Sequence, residues 1–291
     1  MTKIIFFGAS IYSLPILEKL LELPDFELQI VVSKINKAFG RSQKITPNPV
    51  AKYCLDHHLP LLQIETFSED CKLKIKDFKA DLGLCVAFGP PFFDEDIINS
   101  FSYKIINIHP SPLPKYRGAT PGPWQIINSE TKSAVTFFQI DPLPDHGPII
   151  TTLPFDISPT ETAQSFYQKA FSLAADNLQL VLESYLSNPE SLLPQDHSQK
   201  SYFPKLTKDT AKIDWSWNLN KIEAFIRALN PWPIAWTFVE NLNHDIFKMK
   251  IFSAFINQNK SDLIPETVQI EGKNKTEWNE IKKYYSLIRK N

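Results

Sequence analysis

The chain predicts an α/β fold: an open, mostly parallel sheet with helices on both faces, followed by a second, smaller domain. Three observations predict it. Across residues 1–155, short apolar runs alternate with amphipathic stretches, the pattern of parallel strands joined by crossover helices. The polar stretch 187–204, carrying Pro189 and Pro194, interrupts that pattern. The charge balance then changes sign: residues 1–204 hold 17 Lys+Arg against 22 Asp+Glu, and residues 205–291 hold 14 against 10, although the whole chain is at −1. The division expected is therefore 1–186 for the first domain, 187–204 for a linker and 205–291 for the second domain.

The elements follow in order. Lys3–Gly8 reads as a buried strand. Leu14–Leu23 reads as a helix with Pro15 in its first turn, where a missing N–H costs nothing. Phe26–Ser33 is the second strand, and Lys34–Pro49 a long polar loop. Val50–His57 is helical, Leu59–Gln63 a short strand and Asp70–Lys79 a helix. Leu82–Val86 is a strand that stops at Gly89-Pro90-Pro91. Asp94–Asn99 is a short helix, and Lys104–Ile108 a strand running directly into His109. Ser133–Ile140 and Pro148–Thr152 are strands. Thr160–Tyr185 reads as one long amphipathic helix.

Composition narrows the functional class. At 43% hydrophobic and 22% charged, the chain has the balance of a soluble globular protein. No apolar run approaches the ~20 residues that a membrane helix needs, and MTKIIFFGAS reads as a strand, not as a leader. Cys54, Cys71 and Cys85 are odd in number and widely spaced, which predicts free thiols in a reducing, cytoplasmic compartment. Neither CxxC nor HExxH occurs, so no metal is expected. Gly8 follows a first strand, but Ser10 and Ser13 stand where a dinucleotide fingerprint needs glycines.

Open parallel sheets bind ligands beyond the carboxyl ends of their strands. Phe88–Pro91, His109–Gly118 and Asp141–Gly147 all fall at that rim. Asn107 and His109 are two apart on a strand and share a face. Pro110, Pro112 and Pro114 stiffen the following loop. An Asn amide and an imidazole can stabilise the oxyanion formed when an amine attacks an amide-level carbon, and a carboxylate can orient the imidazole. Position alone does not choose between Asp141 and Asp145 for that carboxylate. His146 lacks a third metal ligand and reads as an exposed loop residue. Cys85 is the one thiol near the rim, best explained as a strand core position. GxSxG is absent, which argues against a serine-type hydrolase.

The run NIHPSPLPKYRG, followed 36 residues after its His by the Asp of DHGPII, resembles the folate-dependent formyltransferase family. The resemblance implies a Rossmann-like catalytic domain, with Asn107, His109 and Asp145 as catalytic residues. It implies that 10-formyltetrahydrofolate is the co-substrate, held by Phe88, Gly89 and Pro90 around its pterin-like ring and by Ser111, Pro112, Leu113 and Pro114. The segments FGR…PNPV (39–50), YFPKL…IDW (202–215) and IRALNPWP (226–233) resemble the members that formylate the methionine of initiator methionyl-tRNA. The resemblance thus implies a tRNA partner and an OB-like β-rich C-terminal domain. Between the strands near 248–254 and 267–270 there is room for only a short loop, so a shortened barrel is expected. Lys37, Arg41, Lys44, Lys248, Lys250 and Lys273 are the expected phosphate contacts. Trp215, Trp217, Trp232, Trp236 and Trp278 are expected mainly in the core of the second domain. An amino-sugar nucleotide as acceptor and a formyl-folate hydrolase are the alternatives. A monomer with no membrane association is expected.

Overall fold

The computed structural model describes residues 1–39, 44–259 and 261–289. The elements are β1 (Thr2–Gly8), α1 (Leu14–Glu22), β2 (Phe26–Lys34), β3 (Lys37–Phe39), β4 (Lys44–Thr46), α2 (Pro49–Asp56), β5 (Leu61–Ile64), α3 (Glu69–Asp77), β6 (Leu82–Val86) and α4 (Glu95–Ile98). They continue with β7 (Ile105–His109), α5 (Pro121–Ile127), β8 (Lys132–Gln139), β9 (Ile149–Asp156), α6 (Ala163–Asp176), α7 (Leu178–Ser187) and α8 (Leu219–Ala228). The last are β10 (Ala235–Asn241), β11 (Ile246–Ile251), β12 (Ala254–Ile256), β13 (Leu263–Pro265), β14 (Thr267–Ile270), β15 (Lys275–Glu277), α9 (Trp278–Ile281) and β16 (Tyr285–Ile288).

The chain forms two compact units. The first comprises residues 1–119, 134–155 and 168–202. Its sheet has the order β5-β2-β1-β6-β7-β8-β9. β2, β1, β6 and β7 run parallel to their neighbours, and β8 reverses direction against β7. β1 and β6 read as nearly continuous apolar runs because both faces of a central parallel strand are covered. Ile4, Ile5, Phe6, Phe7, Leu82, Leu84 and Val86 are accordingly buried. The helix starts are set by caps: the Asn48 side chain accepts from the Ala51 amide, Ser68 from Cys71 and Asp94 from Ile97.

The second unit comprises residues 120–133, 156–167 and 203–291. Its antiparallel sheet has the order β15-β14-β11-β10-β16, with a β12–β13 hairpin beside it. One face is apolar: Ala235, Thr237 and Val239 of β10, Met249 and Ile251 of β11, and Val268 and Ile270 of β14 are buried. Ile222, Phe225 and Ile226 of α8 are also buried. A cavity of about 490 Å³ in this unit is lined by residues including Asn241, Lys273, Thr276, Tyr284 and Tyr285.

Residues 187–202 group with the first unit, and 120–133 and 156–167 with the second. Three expectations need correction. The helix expected over 160–185 breaks at Asn177, whose side chain donates to the Leu173 carbonyl at 2.8 Å and competes with the helical ladder. The short loop after β11 is a hairpin, and Asn257 sets its turn by accepting from the Ser261 and Asp262 amides. The loop 34–49 contains the paired strands β3 and β4.

Candidate active site

The parallel strands bring their carboxyl ends to one rim of the first unit. β7 ends on His109, which is buried, while Asn107 is half-buried two residues earlier. Register places Asn107 opposite Phe138 and His109 opposite Thr136 on β8, and Asn107 beside Cys85 on β6. Nothing among the described residues hydrogen-bonds the Asn107 amide, so its donors are available to a ligand.

The His109 ring is fixed from one side. Its Nε2 lies 3.0 Å from the Tyr116 carbonyl oxygen. A carbonyl only accepts, so Nε2 carries a proton and Nδ1 is the nitrogen left for chemistry. Nδ1 lies 3.7 Å from Asp145 Oδ1. That separation is just beyond a hydrogen bond, and catalytic contacts often tighten only when substrate binds. The other carboxylate oxygen, Oδ2, accepts from the Gly118 amide at 2.8 Å. Asp145 is thus the carboxylate beside His109. Asp141 pairs instead with Nδ1 of His146.

The loop that supports His109 is held internally. Ser111 is fully buried, and its hydroxyl donates to the Lys115 carbonyl at 2.7 Å. Thr136 Oγ1 donates to the Ser111 carbonyl at 2.7 Å. Leu113 packs with Phe138 and Ile149. Ser111 and Leu113 therefore shape the loop through buried contacts, and Pro112 and Pro114 are its half-buried members.

The Phe88-Gly89-Pro90 turn lies at the end of β6. Phe88 is buried against Phe7, with ring centroids 5.8 Å apart, and Gly89 adopts a positive φ of 69°. Lys34, at the end of β2, clamps this turn. Its Nζ sits 3.6 Å from the Phe88 ring centroid and donates to the Gly89 and Pro90 carbonyls. Burial pushes the Cys85 thiol up to about 12, so it stays protonated and is unsuited to nucleophilic attack.

Asp145 occupies the left-handed region at φ 52°, and Gly147 follows where no other residue fits: a Cβ there would stand 1.9 Å from the Gln139 carbonyl oxygen. His146, expected as an exposed loop residue, is half-buried. Its ring stacks on that of His197 with centroids 4.1 Å apart and planes 8° apart. Sequence reasoning missed Lys34 as a turn clamp, the Tyr116 carbonyl, the Gly118 amide, Thr136 and Gln195. Tyr116 and Gly118 lie inside the KYRG run and were findable there. Backbone donors and acceptors, however, leave no mark in residue type.

The lysines of the second unit fall into two groups. Lys248 Nζ lies 3.7 Å over the Trp236 ring, and Lys250 is exposed opposite Trp236. Lys273 instead donates to the Tyr285 hydroxyl at 2.7 Å. Arg41 lies outside the described residues, as do the side chains of Lys37 and Lys44. Trp278 is buried, as expected of a core residue, and the half-buried Trp215 donates to Thr237 Oγ1 at 2.9 Å, whereas Trp232 is 53% exposed.

Comparison with known proteins gives this arrangement its class. A formyl transferase family model matches residues 2–182, and a formyl transferase C-terminal domain model matches residues 205–277. The chain is thus a transferase of one-carbon formyl groups. It belongs to the formyl transferase family. The methionyl-tRNA formyltransferase of Streptococcus equi subsp. equi is 34% identical over 252 residues, covering 86% of this chain and 80% of the relative. That of Alkaliphilus oremlandii is 35% identical over 253 residues, covering 87% and 81%. Among solved structures, methionyl-tRNA formyltransferase from Clostridium thermocellum superposes with a TM-score of 0.65 at 14% identity, covering 93% of this chain and 99% of that one. An N-formyltransferase from Helicobacter canadensis, in complex with folinic acid and dTDP-3-aminofucose, gives 0.65 at 22% identity, covering 88% of each chain. These two structures bear on the fold alone.

Proposed function

We propose that this chain transfers the formyl group of 10-formyltetrahydrofolate to the amino group of methionine on initiator methionyl-tRNA, with Asn107, His109 and Asp145 at the reacting centre. The observation that carries the reading is the His109–Asp145 pair, 3.7 Å apart, with the Asn107 amide two residues earlier on the same strand face. The deprotonated amine attacks the formyl carbon and a C–N bond forms. The carbonyl oxygen becomes an oxyanion, which the Asn107 amide stabilises by hydrogen bonding, joined by the His109 imidazolium once Nδ1 has taken the attacking nitrogen's proton. The attacking nitrogen loses a proton, and the folate nitrogen gains one as its bond to the formyl carbon breaks. With Nε2 held by Tyr116, Nδ1 of His109 is the atom that exchanges this proton, and Asp145 stabilises the imidazolium. The folate is bound at Phe88-Gly89-Pro90 and by the 111–114 loop, and a cytoplasmic monomer completes the reading.

The tRNA acceptor is supported by the curated relatives and by one face of the second unit's sheet. Directly opposed residues of antiparallel strands share a face. Trp236 opposes Lys250, Lys250 opposes Gln269, and Gln269 opposes Lys275, forming one row across β10, β11, β14 and β15. Lys248, opposite Phe238, adds a cation beside Trp236. Aromatic rings between exposed lysines suit a sugar-phosphate chain with unpaired bases. Lys273, with Lys37, Arg41 and Lys44, completes the proposed phosphate contacts. Radiolabelled formyl transfer tests the reading, with methionyl-tRNA and an amino-sugar nucleotide as parallel acceptors. Incorporation into methionyl-tRNA and not the sugar is expected. Preferential labelling of the sugar, or release of free formate alone, would overturn it.

A further inference from the structure

We propose that Gln195 is a positioning residue for Asp145, and that the 195–201 segment braces both halves of the catalytic pair. The inference rests on the reading of Asp145 as catalytic. Gln195 is 6% exposed, and its Nε2 donates to the backbone carbonyls of Asp145 at 3.1 Å and Gly147 at 2.7 Å. Its Oε1 accepts from Nη2 of Arg117, which is 4% exposed. A guanidinium has only donors and a carbonyl only accepts, so these partners fix which way the amide points.

The brace extends further. The same Arg117 nitrogen donates to His197 Nδ1 at 2.9 Å. Desolvation and the nearby His146 and Arg117 charges hold the His197 imidazole below its usual range, consistent with an accepting nitrogen. His197 stacks on His146, and His146 pairs with Asp141. Residues 195–197 therefore grip the 145–147 end of the 141–147 loop, and His146 carries the hold on to Asp141. Ser201 secures the opposite loop: its hydroxyl accepts from the Tyr116 amide at 2.9 Å, and its carbonyl accepts from the Arg117 amide at 3.0 Å. Tyr116 in turn holds His109 through its carbonyl.

Asp145 needs such support. A non-glycine residue at φ 52° persists only when its surroundings over-determine it. Without the Gln195 donors, the buried Gly147 carbonyl and the half-buried Asp145 carbonyl lose their partner, the backbone at 145–147 relaxes, and the carboxylate leaves the position 3.7 Å from His109. Displacements of about 1 Å at a reacting centre cost on the order of a hundredfold in rate.

Gln195→Glu tests this cleanly. It keeps the size and gives Arg117 a stronger acceptor, yet removes both donors to the carbonyls. Formylation of methionyl-tRNA by Gln195→Glu, Gln195→Met, Asp145→Asn and the Gln195→Glu/Asp145→Asn double variant would be measured alongside thermal melts and pH–rate profiles. Expected is a kcat loss of about tenfold to a hundredfold in both Gln195 variants. KM should change less than about threefold, with an altered pH–rate profile. The double variant should be no slower than Asp145→Asn alone, because Gln195 acts through that carboxylate. Unchanged kcat in folded Gln195→Glu, losses that multiply in the double variant, or losses that merely track the unfolded fraction of both variants would overturn the inference. Near-normal turnover by Asp145→Asn would sink the catalytic reading instead.

Discussion

The rim of the first unit and the lysine row of the second use polar groups in opposite ways. At the rim, His109, Ser111, Arg117, Thr136 and Gln195 are buried, and backbone or side-chain partners fix their geometry. On the β10–β11–β14–β15 face, Lys250 and Lys275 are exposed, and Lys248 is steadied by the Trp236 ring. The difference teaches which job each region can do. Stabilising a developing oxyanion requires dipoles already in place when charge appears. Holding a polyanion requires charge density and tolerates mobile side chains.

If that contrast is right, the two regions fail differently when altered. The largest expected effect is at His109: His109→Ala should lower kcat by about 10²–10⁴-fold while leaving the affinity for methionyl-tRNA within a few-fold. Steady-state kinetics with a parallel filter-binding titration would check both halves. Asn107→Ala should follow, with a kcat loss of about a hundredfold from the missing oxyanion donor. On the other side, Lys250→Ala/Lys275→Ala should leave kcat near normal. It should raise KM for methionyl-tRNA several-fold at low salt, with a shallower salt dependence, because each lost phosphate contact reduces the slope of log affinity against log salt by about one. A kcat defect in this variant would erase the distinction between the regions.

The smallest effect concerns the buried thiol beside the rim. Burial raises Cys85 to about 12 in the fold, from an ordinary value of 9.0. A raised thiol pKa means that the folded state retains a proton the unfolded chain releases. This contribution is therefore complete below about pH 9 and declines as pH rises from there toward 12. Cys85→Ala should flatten that alkaline decline in denaturant melts, and Cys85 should resist alkylating reagents in the native protein.

Much of the frame of the candidate site is legible in the sequence, and the reasons are physical. β1, β6 and β7 are apolar runs that stop at Gly8, at the Gly89 turn and at His109, so strand, terminus and rim could be read together. Asn107 and His109 shared a face by period-two geometry. The choice of Asp145 over Asp141 was not readable from position, because both lie in one loop and only the fold shows Asp141 engaged by His146. The hydrogen bonds within 187–204 leave no mark in the sequence, because a polar stretch carrying Pro189 and Pro194 without periodicity reads as a linker whether it is solvated or bonded to its neighbours. The β12–β13 hairpin was hidden for a related reason: three-residue strands are too short to show alternation.

The central claim is that Nδ1 of His109 and the Asp145 carboxylate work as one unit. A double-mutant cycle on single-turnover formyl transfer to methionyl-tRNA tests it most directly, using His109→Ala, Asp145→Asn and the two combined. The account predicts that each single variant loses on the order of a thousandfold and that the combination loses little more, because either change already disables the shared function. Losses that multiply, giving a double variant on the order of a thousandfold slower again than either single one, would contradict it.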